Sequence, residues 1–81
     1  MTELQLTALC LISDNNGMTI KDLAKAIAKI KESKYWASYR LTAANTMYKL
    51  SDLYLVHEYM GTFGITDDGK NKMQELLPVP L

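Results

Sequence analysis

Polar side chains recur at steps of four, three, four and three along the middle of the chain. They are Ser38, Thr42, Asn45, Lys49 and Asp52. At 100° per residue these positions share one side of a helix, so the spacing predicts a helix with a continuous polar stripe. Hydroxyl and amide groups can bond to the edges of DNA bases, and an ammonium group can bind a phosphate. The stripe is therefore either a surface that reads a duplex or the ordinary solvated side of a packed helix.

The residues beside the stripe are compatible with the first hypothesis, although the pattern alone does not decide between the two. Ala37 and Ala44 are small, and small neighbours let a helix lie deep in the major groove of DNA. An amide can pair with adenine there, and a threonine can contact thymine. We therefore take three residues as candidate base-reading residues of a protein whose partner is double-stranded DNA: Ser38, Thr42 and Asn45.

Charge is distributed unevenly, although nine Lys and Arg balance nine Asp and Glu over the whole chain. Residues 20–49 carry seven cations against two carboxylates, which gives +5, whereas residues 1–19 carry −2 and residues 50–81 carry −3. A basic segment between acidic ones indicates either a nucleic-acid partner or an ordinary lysine-rich helix face in contact with solvent. Five cations of this segment are candidate phosphate contacts: Lys21, Lys25, Lys34, Arg40 and Lys49.

No arrangement of residues indicates catalysis or a bound cofactor. Cys10 and His57 are the only cysteine and the only histidine, so neither predicts a metal site. Asp67 and Asp68 are adjacent and suit the start of a helix better than paired-carboxylate chemistry. The sequence therefore predicts a protein that is not an enzyme and that holds no cofactor or metal.

The apolar segments indicate where the protein works. No apolar run approaches the length that spans a membrane, and no secretory signal pattern opens the chain. We expect a cytoplasmic protein without a membrane partner, associated with the nucleoid when it is bound to DNA.

Two amphipathic helices precede the polar stripe. The first, "TELQLTALCLIS", has Thr2 and Gln5 placed as a capping box and ends at "DNNG". The stretch "MTI" has room for no more than one bridge of a sheet, and Thr19 is placed to cap the second helix, "IKDLAKAIAKIK". The apolar residues of this helix predict its buried side: Ile20, Leu23, Ala24, Ile27 and Ile30.

The third helix carries the stripe and runs to about Leu53, but its start is open. Either Ser33 or Ser38 is placed to cap it. Its predicted buried side lies opposite the stripe and consists of Trp36, Ala43, Met47, Leu50 and Tyr54.

A β-hairpin and a last helix complete the chain. "YLVHEYM" predicts a strand, "GTFG" a turn with glycine at both ends, and "FGI" a returning strand. Thr66 is placed to cap the last helix, "TDDGKNKMQELL", which Pro78 and Pro80 would stop. Residues 1–81 thus predict one mainly α domain with a small β-hairpin, in the order of a winged helix-turn-helix: three helices, a two-stranded wing and a C-terminal helix.

Three segments resemble the MarR- and PadR-type winged-helix regulators. In "MYKLSDLYLV", Leu50 stands five residues before a Leu-Val pair, as at the end of the family's recognition helix, although glycine usually stands where this chain has Tyr54. "GITDDGKNKMQEL" is similar to the family's Thr-x-x-Gly exit from the wing, and "MTIKDLAKAI" is similar to its second helix. The longer terminal helices through which family members dimerise have no counterpart among these segments.

The resemblance implies sequence-specific binding of double-stranded DNA by a small prokaryotic or phage transcription regulator. Its third helix would lie in the major groove, with the wing "YMGTFG" near the adjacent backbone. A homodimer would form through the first helix, the last helix and "LLPVPL", because one module of this size covers little DNA. The alternative is a winged-helix module that binds protein through its aromatic surface, as an accessory factor of a transcription or replication complex.

Overall fold

Four helices and a three-stranded antiparallel sheet follow one another along residues 1–77, the part of the chain that the structure, a computed structural model, describes. In order they are α1 (Glu3–Asp14), β1 (Met18–Thr19), α2 (Ile20–Ile30), a 3-10 turn (Trp36–Tyr39), α3 (Arg40–Asp52), β2 (Val56–Tyr59), β3 (Thr62–Ile65) and α4 (Asp67–Leu76). This order is consistent with a winged-helix-like layout. Pro78 and Pro80, for which we predicted a helix stop, and the end of the "LLPVPL" segment lie outside the described residues.

The first two helices start at the residues that the sequence predicts. At α1, the Gln5 N–H donates to Thr2 Oγ1 at 3.1 Å, and the Thr2 N–H donates to Gln5 Oε1 at 3.0 Å. At α2, Thr19 and Asp22 exchange the same two bonds, each 3.1 Å long. These reciprocal bonds satisfy backbone donors that the start of a helix leaves without a partner.

The first three helices end in the same way, although none of them has glycine at the critical position. After α3, Tyr54 adopts a left-handed conformation with φ 60°. Its N–H donates to Ser51 O, and the Leu55 N–H donates to Leu50 O, both at 3.0 Å. This pair of bonds is the Schellman motif. Two other residues hold the same position and conformation after α1 and α2: Asn16 and Glu32.

The start of α3 differs from both alternatives that the sequence left open. The Ser33 hydroxyl accepts from the Tyr35 N–H at 3.1 Å, and the Ser38 hydroxyl donates to Tyr35 O at 2.6 Å, so neither serine caps the helix. Instead the 3-10 turn runs directly into α3, and the Arg40 N–H donates to Ala37 O. A helix that continues a 3-10 turn finds its first backbone partners in that turn. Ser38 therefore belongs to the turn and not to α3.

The hydrophobic core lies between α1, α2, α3 and the sheet. Its largest fully buried side chains are Leu9, Ile12, Leu23, Met47, Leu50 and Phe63. Thr46, which was predicted for neither side of α3, is also buried, and its hydroxyl donates to Thr42 O at 2.8 Å. A threonine bonded in this way buries its methyl group without leaving a polar atom unpaired.

Four residues of the predicted buried sides lie outside the fully buried core, and one of them, Ile20 at the start of α2, is half-buried against it. Ile30 is 59% exposed, Tyr54 is 76% exposed, and Trp36 is half-buried. Ile30 is the last residue of α2, and because α2 packs against both α3 and the 3-10 turn, its buried side contains Ala28 instead. Tyr54 follows the end of α3, so the left-handed turn carries its side chain out of the helical register. Trp36 belongs to the 3-10 turn, whose periodicity differs from that of an α-helix.

The sheet has the order β1-β3-β2, so the short β1 adds a third strand to the predicted two-stranded hairpin. Met18 of β1 pairs with Phe63 of β3, and Phe63 is buried in the core. The turn between β2 and β3 consists of Met60 and Gly61, both with positive φ, as a two-residue type I′ turn requires. The predicted "GTFG" turn is therefore wrong, because residues 62–65 form β3.

The first turn of α4 is fixed to the junction between α3 and β2. The Thr66 N–H donates to Leu55 O at 3.1 Å, and its hydroxyl donates to Tyr54 O at 2.7 Å. The same hydroxyl accepts from the Gly69 N–H at 2.9 Å, which caps α4 as the sequence predicts. Gly69 is buried, and a Cβ there would overlap the Leu55 carbonyl and lie 2.8 Å from Ile65 Cγ1. The Thr-x-x-Gly motif thus holds α4 where only glycine fits.

Replacing Gly69 with alanine should destabilise the fold by about 2 kcal/mol, since α4 must move away from the Leu55 carbonyl. The sign is informative, because helix propensity alone would make alanine more favourable by about 1 kcal/mol. Chemical denaturation measures the effect, with the exposed Asn71→Ala on the same helix as the matched control. A Gly69→Ala variant as stable as the parent protein would show that α4 does not need this close contact.

Candidate nucleic-acid interface

Three cationic side chains surround the ring of Trp36, the only tryptophan of the chain. Lys25 Nζ lies 5.2 Å from the ring centroid and Lys21 Nζ lies 5.6 Å from it. The guanidinium carbon of Arg40 is 5.8 Å from the same centroid. All three cations are exposed, whereas Trp36 is half-buried against the core. These four residues form what we term the Trp36 cluster.

The Trp36 cluster exists because three elements meet at this place. Lys21 and Lys25 are one turn apart on the exposed side of α2, and Arg40 is the first residue of α3. The 3-10 turn packs against both helices and so brings Trp36 to all three cations. A cation within about 6 Å of an aromatic ring is attracted by the electron-rich face of the ring. The ring therefore helps to keep three like charges at one site.

Within residues 1–77, no carboxylate forms an ion pair with a cation of the Trp36 cluster. Within residues 1–77 the one ion pair joins Lys72 to Glu75 on α4, at 3.7 Å. Asp22 carries a negative charge one residue from Lys21 and three residues before Lys25, but its carboxylate accepts from the Thr19 N–H and forms an ion pair with neither lysine. Any two cations of the cluster lie within about 12 Å of each other. At low ionic strength, where the Debye length is about 30 Å, like charges at this separation repel each other. A bound anion would relieve this repulsion.

A phosphate group is the anion that these side chains suit best. A guanidinium group can donate two parallel hydrogen bonds to phosphate oxygens, and lysine ammonium groups add mobile point charges. The cluster unites three of the five predicted phosphate contacts: Lys21, Lys25 and Arg40.

The other two predicted phosphate contacts lie apart from the Trp36 cluster. Lys34 is exposed in the connector before the 3-10 turn. Lys49 is exposed near the opposite end of α3, where it lines a groove together with Met1, Gln5 and residues of α4. The structure therefore does not join these two lysines to the anion site.

Two of the three predicted base-reading residues lie on the exposed side of α3. Thr42 and Asn45 are both exposed and follow Arg40 within the first two turns of the helix. Ser38 is also exposed, but its hydroxyl is bonded to Tyr35 O within the 3-10 turn. The structure thus places Thr42 and Asn45 on the surface that begins at the Trp36 cluster, and it places Ser38 off α3.

The outward side of α3 carries two apolar residues that do not belong to the predicted polar stripe. Leu41 is 73% exposed and Tyr48 is 54% exposed, and they precede and follow Asn45 by four and three residues. A signal for them exists in the sequence, because the outward direction lies opposite the centre of the buried side. When Thr46 is included among the buried residues, the centre of the buried side shifts, and the direction opposite to it passes close to Leu41. The buried residues of α3 are Ala43, Thr46, Met47 and Leu50.

The β2–β3 hairpin presents no cationic side chain. Residues 56–65 contain no Lys or Arg and include Glu58. Tyr59 and Met60 are 73% and 85% exposed at its tip. The hairpin could therefore bind a phosphate only through hydroxyl groups and backbone N–H groups. The positive charge for binding a duplex would come from α2 and α3.

Two further kinds of site were sought in residues 1–77. No three His, Cys, Asp or Glu side chains there come close enough together to hold a metal ion. In the same residues, no helix has both the length and the apolar composition to cross a membrane.

Comparisons with known proteins add no relative to this picture. The chain matches no protein-family model, no curated protein and no solved structure. A function must therefore be argued from the geometry of the chain itself.

Iodide should quench the fluorescence of Trp36 several times more efficiently than caesium, after both are normalised to free N-acetyltryptophanamide. The reason is that the three surrounding cations attract anions and repel cations near the ring. Stern–Volmer slopes at low ionic strength measure the ratio, and added salt should reduce it.

The control for this measurement is a pair of variants. The double variant Lys21→Ala/Lys25→Ala should lose most of the preference for iodide, whereas Lys72→Ala on α4 should keep it. Equal normalised quenching of the parent protein by the two ions would show that no positive potential surrounds the ring.

Proposed function

We propose that the chain is a winged helix-turn-helix protein that binds double-stranded DNA sequence-specifically, as a small prokaryotic or phage transcription regulator and not as an enzyme. One observation carries the proposal. The Trp36 cluster, whose cations form no ion pair within residues 1–77, stands at the start of the same helix that exposes Thr42 and Asn45. Phosphate contacts fix a protein's register on a duplex and base contacts read its sequence, so a DNA reader needs both kinds of group side by side.

The arrangement of α2, the 3-10 turn and α3 supports this proposal. In a helix-turn-helix, the first helix crosses the DNA backbone and the second lies in the major groove, with its N-terminal residues at the base edges. Lys21 and Lys25 of α2 would then contact the backbone, and the segment 40–45 of α3 would enter the groove. The resemblance to MarR- and PadR-type regulators points to the same use of these helices.

The hairpin would lie near the adjacent backbone, as in a winged helix, but with a smaller energetic role than a cationic wing. Its uncharged tip limits it to hydrogen bonds and van der Waals contacts. The protein would work in the cytoplasm, at the nucleoid.

A homodimer on DNA belongs to the proposal. A single module of this size buries too little DNA surface for tight specific binding, and two-fold symmetric regulators read two half-sites. Met1 and Leu53 line a groove between α1, α3 and α4, and Leu76 and Leu77 are also partly exposed at the end of α4. This side of the molecule is the proposed dimer contact.

A second candidate function is binding of a protein partner, as an accessory factor in a transcription or replication complex. The observation in its favour is a set of large side chains exposed outside the cationic surface. They include Tyr54, Tyr59 and Met60, which are 73% to 85% exposed. Side chains of these types are enriched where proteins bind each other.

Binding to duplex DNA should weaken steeply with salt. With about four to six phosphate contacts per protomer, the logarithm of the affinity should fall with the logarithm of salt concentration at a slope of about −4 to −5, because each contact releases about 0.9 counterion. Fluorescence anisotropy on a mixed-sequence duplex measures this slope. The absence of binding even at about 50 mM salt would count against the DNA proposal and favour the protein partner.

The charge that causes this slope is located by two lysine variants. Lys25→Ala should reduce the magnitude of the slope by about one unit and weaken binding to all duplexes alike. Lys72→Ala should leave the slope unchanged, since Lys72 lies on α4 and is paired with Glu75. Equal effects of the two variants would show that the Trp36 cluster is not the phosphate site.

Sedimentation equilibrium should show two protomers on one duplex that carries the preferred site. Replacing Leu53 with a charged residue, as in Leu53→Glu, should reduce this to one protomer at the same protein concentration, because the new carboxylate replaces an apolar side chain of the proposed contact and would lose water when the protomers meet. One protomer per duplex for the parent protein would refute the dimer.

A further inference from the structure

Leu41 occupies an unusual place for an apolar side chain. It is 73% exposed in the first turn of α3, directly after Arg40 of the Trp36 cluster and four residues before Asn45. A single exposed leucine on a protein surface needs no explanation. Here, however, it stands on the surface that would face the bases, between the residue that would bind phosphate and the amide that would read a base.

The major groove offers one apolar group, the 5-methyl group of thymine. An asparagine can pair with the N6 and N7 positions of adenine, and apolar side chains contact the thymine methyl. Residues four apart on a helix are neighbours at about 6 Å. Successive base pairs are about 3.4 Å apart along the duplex axis. The two side chains therefore reach base pairs one or two steps apart.

We propose that Leu41 reads the methyl group of a thymine one or two base pairs from an adenine that Asn45 binds. This inference rests on the proposed function, which it deepens by naming the bases. The preferred half-site would contain A·T pairs at the positions that face the first two turns of α3.

The surroundings of Leu41 favour a duplex over an apolar protein groove as its partner. Arg40 precedes Leu41 in the chain, and Arg40 forms no ion pair within residues 1–77. An apolar groove that covered Leu41 would have to remove water from this charge and its neighbours without offering a counterion, which is costly. A thymine methyl group lies next to phosphates, so the same contact satisfies both residues.

The test compares thymine with deoxyuridine, which lacks only the methyl group. A duplex preferred by the parent protein is selected from random sequences, and each thymine is then replaced singly. The parent protein should lose about three- to fivefold in affinity at one or two positions, the factor that burying one methyl group provides. Leu41→Ala should bind the thymine and deoxyuridine duplexes almost equally, because the group that contacts the methyl is gone.

Two controls separate this effect from folding and from general affinity. Leu41→Ala should keep the melting temperature of the parent protein, since the side chain is exposed and alanine favours a helix. Ile30→Ala removes an exposed apolar side chain at the end of α2, outside α3, and should retain the discrimination against deoxyuridine.

Each other outcome overturns part of the account in a distinguishable way. Salt-dependent binding of the parent protein without any thymine preference would refute the inference and leave the proposed function standing. Leu41→Ala that still discriminates against deoxyuridine would remove Leu41 from the base contact. If Leu41→Ala binds every duplex as the parent protein does, Leu41 lies outside the DNA interface and its exposed side chain is available to a protein partner instead. No duplex binding at all would refute the proposed function itself.

Discussion

The packing of one side of α3 determines what the domain can present to a partner. Four residues of this helix face the core: Ala43, Thr46, Met47 and Leu50. Because an α-helix holds its side chains in fixed directions, these contacts set the rotation of α3 about its axis and therefore choose the outward residues. Thr46 has a particular effect on this rotation, because it is the polar residue among the four. Its hydroxyl can be buried because it donates to Thr42 O in the preceding turn.

The positive and negative charges of the molecule lie on different elements, so its electrostatic field can orient a charged partner. The cations that converge on Trp36 belong to α2 and α3, whereas the first turn of α4 carries Asp67 and Asp68. A polyanion that approaches is attracted to one side and repelled from the other, even though the net charge is zero. The electrostatic field therefore orients the molecule toward a polyanion, whereas the zero net charge avoids the strong non-specific attraction to polyanions that a highly basic protein has.

Local chemistry made part of this structure predictable from the sequence. The caps at Thr19 and Thr66 were predicted because a short side chain and a nearby backbone decide them. The start of α3 was not, because a 3-10 turn takes the place of a serine cap. The exposure of Leu41 was missed because tertiary packing sets the rotation of α3. The individual cations were predicted, but their meeting at one ring was not, since it depends on a turn that joins two helices.

The left-handed residues that end three helices have a consequence for how the domain could change over evolutionary time. Glu32 and Tyr54 hold a conformation that costs a residue with a side chain about 1–2 kcal/mol, a cost that glycine avoids. Both stand at junctions on either side of α3 and outside its outward side. A single substitution of Glu32 or Tyr54 by glycine could therefore increase the stability of the domain. Such a gain in stability would let the domain tolerate destabilising substitutions on α3 that change which sequence it binds.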